Sequence, residues 1–154
     1  AKGRGKPVSD FYVKIGDAVE VAKTVGESDV YIYAGVTGDF SVNHMNEQFM
    51  ERTSYGHRIA HGALLVGFMS TASTKMIDHV QGIGDKETPV SLGYDRVRFI
   101  GPVFFGDTIT VQYTITAIDA ERRRSTGDIK VINQKGETVA VAQHILKWVP
   151  NDRK

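Results

Sequence analysis

Asp39 and His44 stand five positions apart in TGDFSVNHMNEQFMERTSYGHRIAH, the stretch from Thr37 to His61. A carboxylate and an imidazole facing one water can take a proton from it and return a proton elsewhere. The imidazole suits this work because its unperturbed pKa lies near neutrality. Regular structure does not bring the two together. Five helical positions turn by about 500°, leaving the side chains about 140° apart. In a strand an odd offset sends them to opposite faces. The segment must therefore bend, and Gly38 and Ser41 supply turn chemistry. The plainer reading of the same residues is Asp39 as a turn former or helix cap and His44 as a half-exposed loop residue.

Gly62 opens the most apolar run of the chain, GALLVGFMSTA. The first N–H groups of a helix lack internal partners and the dipole is positive there. A glycine lets a ligand carbonyl come close, so such an end can hold an oxyanion or an enolate. Close packing of helix on sheet would ask for the same glycine. Ser70 lies about 12 Å further along that helix, where a hydroxyl commonly bonds back to the carbonyl four residues earlier, here Val66. His57 and His61 have the i,i+4 offset of a metal pair. Arg58 between them, the loop context and the remoteness of His79 and His144 argue against an ion. His61 is expected instead to bond backbone and hold the loop before the helix. Arg122–Arg124 reads as a solvated hairpin tip or as a receiver of phosphates.

The elements that must position these groups are legible in outline. Asp17–Val25 alternates apolar and polar residues, as a half-buried strand does. Glu27–Val36 reads as a short helix capped by Ser28, and Asn46 caps another over NEQFMER. Gly56 marks a turn. Gly62–Ile77 carries so little polar surface at its start that it must be buried. Val90–Ile100, Thr108–Ile118, Ser125–Asn133 and Thr138–Val149 are rich in Val, Ile, Thr and Tyr. They follow one another without helices and should pair antiparallel. The fold class is α+β: a long antiparallel sheet wrapped around one central buried helix.

With 154 residues the chain is long enough for one cored domain, expected over residues 11–150 behind a loose tail at 1–10. Lys and Arg (19) nearly cancel Asp and Glu (18), so there is no electrostatic footprint for nucleic acid. No cysteine is present, which removes disulfides and thiolate metal sites and suits a cytoplasmic location. No apolar run reaches the ~18 residues of a membrane span. GRGK near the start lacks phosphate-loop spacing.

Three motifs in order carry a family resemblance: Thr37-Gly38-Asp39 with His44, Tyr55-Gly56-His57-Arg58-Ile59-Ala60-His61-Gly62, and Arg98-Phe99-Ile100-Gly101-Pro102-Val103-Phe104-Phe105-Gly106-Asp107-Thr108. Together they resemble the MaoC-like dehydratase family with its (R)-specific enoyl-CoA hydratases, from about Asp17 to Trp148. The resemblance implies the hot-dog fold. It implies reversible hydration of a trans-2-enoyl-CoA to the (R)-3-hydroxyacyl-CoA within fatty acid metabolism, without a metal or other cofactor. It matches Asp39 and His44 to the family's catalytic pair, the Gly62 N–H to the group that polarises the thioester carbonyl, and Ser70 to a serine near the site. It further implies a homodimer or higher homo-oligomer. One departure stands out. The usual pattern is Asp-x-Asn-Pro-(Ile or Leu)-His, and here it is Asp39-Phe40-Ser41-Val42-Asn43-His44. A rigid turn is lost and Asn43 replaces an apolar residue, which bears on substrate preference. Asn43 and His61 join Ser70 as supporting or substrate-binding residues. A hot-dog thioesterase and a non-catalytic acyl-CoA-binding domain are the alternative readings.

Overall fold

Ile109, Val111, Tyr113 and Ile115 alternate with polar residues, and all four are buried in a strand running Thr108–Asp119. The computed structural model describes residues 11–78, 80 and 86–152. The tail expected at residues 1–10 and His79 lie outside them. The strands are β1 (Ala18–Thr24), β2 (Glu87–Phe99), β3 (Thr108–Asp119), β4 (Arg124–Ile132) and β5 (Thr138–Pro150). They form one sheet in the order β1-β3-β4-β5-β2, every neighbouring pair antiparallel. β2 starts earlier than Val90 and runs through Pro89, which an edge strand tolerates because only one of its sides has a strand neighbour among the described residues.

The helix α4 (Gly62–Ile77) lies against β1 and β3, as the apolar run predicts. Leu65, Met69, Ala72, Ser73 and Met76 are its buried residues. Burial all round does not occur: Ala63, Gly67, Ser70, Thr71 and Thr74 face outward. The sheet of this one chain curves around one side of the helix, and small residues occupy the other. Among the described residues no helix is long and apolar enough to cross a membrane.

Among the described residues three shorter helices precede α4: α1 (Glu27–Thr37), α2 (Val42–Met45) and α3 (Glu47–Met50). Asn46 caps α3 as expected, its side-chain oxygen accepting the Phe49 N–H at 2.9 Å. The cap of α1 is Gly26 rather than Ser28, because the Asp29 carboxylate reaches back to accept the Gly26 N–H at 2.8 Å. α1 stops at Gly38, whose φ of 81° is the left-handed conformation that glycine adopts without strain.

The helix-facing side of the sheet is not wholly apolar. His144 on β5 is fully buried, with Nδ1 at 2.8 Å from the Tyr113 hydroxyl and Nε2 at 2.8 Å from the Ser91 hydroxyl. The Tyr113 ring crosses β4 over Gly127, where any Cβ would lie 2.2 Å from it. Burial pushes the His144 pKa down to about 4, so the ring is neutral at pH 7.

Candidate active site

The bend that Asp39 and His44 require is built by two helix ends. α1 terminates at Gly38, and Ser41 opens α2, which carries His44. Between them the Asp39 carboxylate accepts the Ser41 N–H at 3.3 Å, so the turn-forming role of Asp39 is also realised. One carboxylate oxygen of Asp39 and one ring nitrogen each of His44 and His61 lie within 4.8 Å of one another. Two such groups can share a single water, since each hydrogen bond spans about 2.8 Å.

His44 is buried, and its Nδ1 lies 2.6 Å from the Ile59 carbonyl oxygen. A carbonyl only accepts, so Nδ1 carries a proton, and in the tautomer this selects the lone pair is on Nε2. That is the state of a general base. The Ile59 N–H in turn donates to the Asn43 carbonyl at 3.0 Å, so residues 43–44 and 59 hold each other. His61 is 2 % exposed and packs face to face on His44, ring centroids 3.6 Å apart. Its Nε2–H donates to the Asp39 backbone carbonyl at 2.9 Å, and its Nδ1 is buried without a hydrogen-bond partner. Tyr33 of α1 covers it at 4.7 Å between centroids. The expected backbone bond of His61 is thus present, and it reaches the candidate catalytic loop itself.

The pair His57 and His61 does not form. His57 is exposed and its Nδ1 lies 2.7 Å from the Glu47 carboxylate. The group that does form, Asp39–His44–His61, has its two imidazoles stacked. Stacked rings direct their in-plane lone pairs side by side rather than at a common point, a poor arrangement for sharing an ion. The arginine run also resolves. Arg122 pairs with Asp119, and Arg123 gives both carboxylate oxygens of Glu87 a hydrogen bond while lying over the Phe11 and Tyr12 rings.

A cavity of about 290 Å³ opens beside His44. Asn43, His44, Ile59, Gly62 and Leu65 form one side, and Phe99, Ile100, Pro102 and Val103 the other. Its size is near the lower end for small-molecule sites. A larger hollow of about 460 Å³, between Arg96, Gln112, Asp128 and Gln143, lies on the far side of the sheet, away from the Asp–His cluster. Gly62 is the first residue of α4, and its cap residue His61 makes no side-chain cap bond. The helix start therefore faces the cavity uncapped by a side chain. A Cβ at Gly62 would lie 2.6 Å from the Phe99 ring, so close packing by itself requires the glycine. Ser70 is elsewhere: it is exposed on α4 beside the Tyr94 phenol and does not line the cavity.

Sequence reasoning brought Asp39, His44, Gly62, Asn43 and His61 forward, and the fold gathers all five around one cavity or its rim. It gave no role to the Ile59 carbonyl, to Tyr33 or to Arg58. A backbone acceptor and a covering ring leave no mark in spacing, and Arg58 entered as an interruption between two histidines and as one position of the second motif, with no role of its own.

Comparison with known proteins identifies the family and the fold. A family model described as MaoC like domain matches residues 11–139. An (R)-specific enoyl-CoA hydratase of Rhodospirillum rubrum is 35% identical, over 72% of this chain and 72% of its own length. A 3-hydroxybutyryl-CoA dehydratase of Methylorubrum extorquens is 29% identical, over 73% of this chain and 67% of its own. Among solved structures, the (R)-hydratase from A. caviae superposes with a TM-score of 0.77 at 24% identity, covering 88% of this chain and 96% of that one. That likeness carries the fold, a hot-dog arrangement of sheet and helix.

Proposed function

Because the chain belongs to the MaoC-like dehydratase family, a family of hydro-lyases, we propose that it reversibly hydrates trans-2-enoyl-CoA to (R)-3-hydroxyacyl-CoA. The observation that carries this reading is the convergence of Asp39 and His44 at a cavity edged by the start of α4. The substrate's thioester carbonyl accepts the Gly62 N–H, which draws electron density from C3. Asp39 and His44 hold one water. Its oxygen bonds to C3 as one of its protons passes to the waiting base. A proton delivered from the pair to C2 completes the addition, and the reverse steps dehydrate. His44 enters with Nε2 free to accept, as its bond to Ile59 dictates. His61 orients both partners through the Asp39 carbonyl and the His44 ring face. Asn43 contacts the acyl group from the cavity wall. The chemistry needs no cofactor beyond the CoA that the substrate brings.

The active form is proposed to be a homodimer or higher homo-oligomer paired through β2. That strand is an edge, and it presents Leu92 and Phe99 to solvent with Ile100 just beyond its end. Exposed edges with apolar side chains are ordinarily covered. Light scattering at micromolar concentration reads this directly: a dimer mass supports it, and a monomer with full activity removes it.

The decisive experiment follows the enoyl-thioester absorbance on mixing the protein with crotonyl-CoA and longer or carboxylated enoyl-CoAs, with Asp39→Asn alongside. Loss of absorbance that the variant abolishes supports hydration through Asp39. Release of free thiol without hydration would make the protein a thioesterase, and binding without turnover an acyl-CoA-binding domain.

A further inference from the structure

Arg58 sits outside the cavity, yet its side chain contacts Glu47, Glu27, Tyr31 and Phe105 at once. Its side chain is only 17% exposed. Nε donates to Glu47 Oε2 at 3.0 Å, and its backbone N–H donates to the same oxygen at 3.1 Å. Nη1 donates to Glu27 Oε1 at 3.1 Å and to the Tyr31 hydroxyl at 2.7 Å, while that hydroxyl donates to Glu27. The guanidinium face lies over the Phe105 ring, 4.6 Å from its centroid. One side chain thereby joins the start of α1, the helix α3 and the loop between β2 and β3.

The residues that follow Arg58 carry the site. Ile59 gives its carbonyl to His44 Nδ1 and its N–H to Asn43. Ala60 donates its N–H to Val103 at 2.8 Å, across the cavity wall. His61 holds the Asp39 carbonyl, and Gly62 opens α4. A shift of Arg58 moves the acceptor that sets the His44 tautomer and, four residues on, the N–H offered to the substrate.

We propose that Arg58 is a positioning residue for the reaction, fixing the 58–62 segment so that the Ile59 carbonyl and the Gly62 N–H stay in register with His44. The inference rests on the hydratase reading above. A guanidinium is required because its planar fork serves Glu47 on one side and the Glu27–Tyr31 pair on the other, with a flat face for Phe105. A lysine ammonium is a compact point charge with no such fork or face. The charge state fits. Burial works against the Arg58 cation, but the hydrogen bonds it donates to Tyr31, Glu27 and Glu47 outweigh it and hold its pKa above the usual range. Glu27 is held below the usual carboxylate range by Tyr31 and Arg58, and Glu47 by His57 and the Arg58 N–H.

The test uses the intact protein, its best enoyl-CoA substrate and three variants. Arg58→Lys and Arg58→Ala should each lower kcat about 10²-fold, the order expected of a misplacement near 1 Å, with KM changed less than about threefold, because Arg58 does not line the cavity. Guanidinium ion at tens of millimolar should restore part of kcat to Arg58→Ala and none to Arg58→Lys. Tyr31→Phe, a milder change at a half-exposed ring, should lower kcat a few-fold in the same sense. Wild-type kcat in Arg58→Lys and Tyr31→Phe, or a loss that lies in KM and is not rescued, overturns the inference while leaving the hydratase reading intact. A wild-type protein that hydrates no enoyl-CoA overturns the reading, and the inference with it.

Discussion

At the scale of single residues, the proposed chemistry separates groups that react from groups that hold. His44 has one ring nitrogen committed to a backbone carbonyl, so only Nε2 is left for proton transfer. His44→Ala should therefore lower kcat by at least about 10²-fold, the usual contribution of a positioned acid–base group. Single-turnover hydration of crotonyl-CoA checks this, and a variant within tenfold of wild type would remove His44 from the chemistry. Asn43 poses a different question. It lines the cavity where the family pattern has an apolar residue, and its amide brings both a donor and an acceptor. Asn43→Leu should shift the ratio of kcat/KM for plain alkyl over carboxylated or hydroxylated enoyl-CoAs toward the alkyl substrates by about tenfold, the order one pocket contact contributes. An unchanged ratio across the panel would mean that Asn43 does not touch the acyl group.

At the scale of elements, the start of α4 has two claims on one glycine. Gly62→Ala keeps the N–H but drives a methyl into the Phe99 ring at 2.6 Å. Overpacking of this kind costs about 1–3 kcal/mol and should tilt the helix start enough to reduce kcat. Phe99 is half-exposed at the end of β2, so truncating it relieves the clash without opening the core. The double variant Gly62→Ala/Phe99→Ala should recover melting temperature and bring kcat back to within about fivefold of Phe99→Ala alone. If it recovers stability but not turnover, the glycine is needed for backbone approach of the substrate as well. The elements were legible for a physical reason. α4 announces itself by sixteen residues with almost no charge, and β3 by its richness in Val, Ile, Thr and Tyr. What was not legible lies in the joins. Ser28 looked like the cap of α1, but Asp29 reaches back to Gly26. His61 was expected to bond backbone, and it does, but nothing in the spacing showed that its partner is the Asp39 carbonyl or that its ring packs on His44. Periodicity reports faces of helices and strands and is silent about which loop crosses which. From spacing the convergence of Asp39 and His44 was readable only as a need for a bend, and it was the family match that paired them; Ser70, carried by that match, is exposed and away from the cavity.

At the scale of the whole molecule, the buried imidazole of His144 ties stability to pH. It faces Tyr113 and Ser91 through its two nitrogens and the Tyr94 ring across 4.6 Å, hydroxyls and a ring that give a cation no countercharge. Its pKa falls from the ordinary 6.5 to about 4 because burial disfavours the charged form. Between those values the unfolded chain binds the proton and the folded chain does not, so protons pull the equilibrium toward unfolding. The contribution of His144 is fully present above pH 6.5 and is lost as the pH falls toward 4. Full traversal of that window is worth about 3 kcal/mol, at about 1.4 kcal/mol for each pKa unit. Glu27, Asp29, Glu47 and Glu87 are held below the ordinary carboxylate range and act in the same direction, at lower pH. Urea unfolding of the wild type and of His144→Gln, which hydrogen-bonds but does not titrate, separates the histidine from the carboxylates. The wild type should lose about 2 kcal/mol more than the variant between pH 7 and pH 4.5, most of the His144 contribution. Equal losses would mean that the network opens to admit the proton, and that the polar row across β2, β5 and β3 is looser than its 2.8 Å bonds describe.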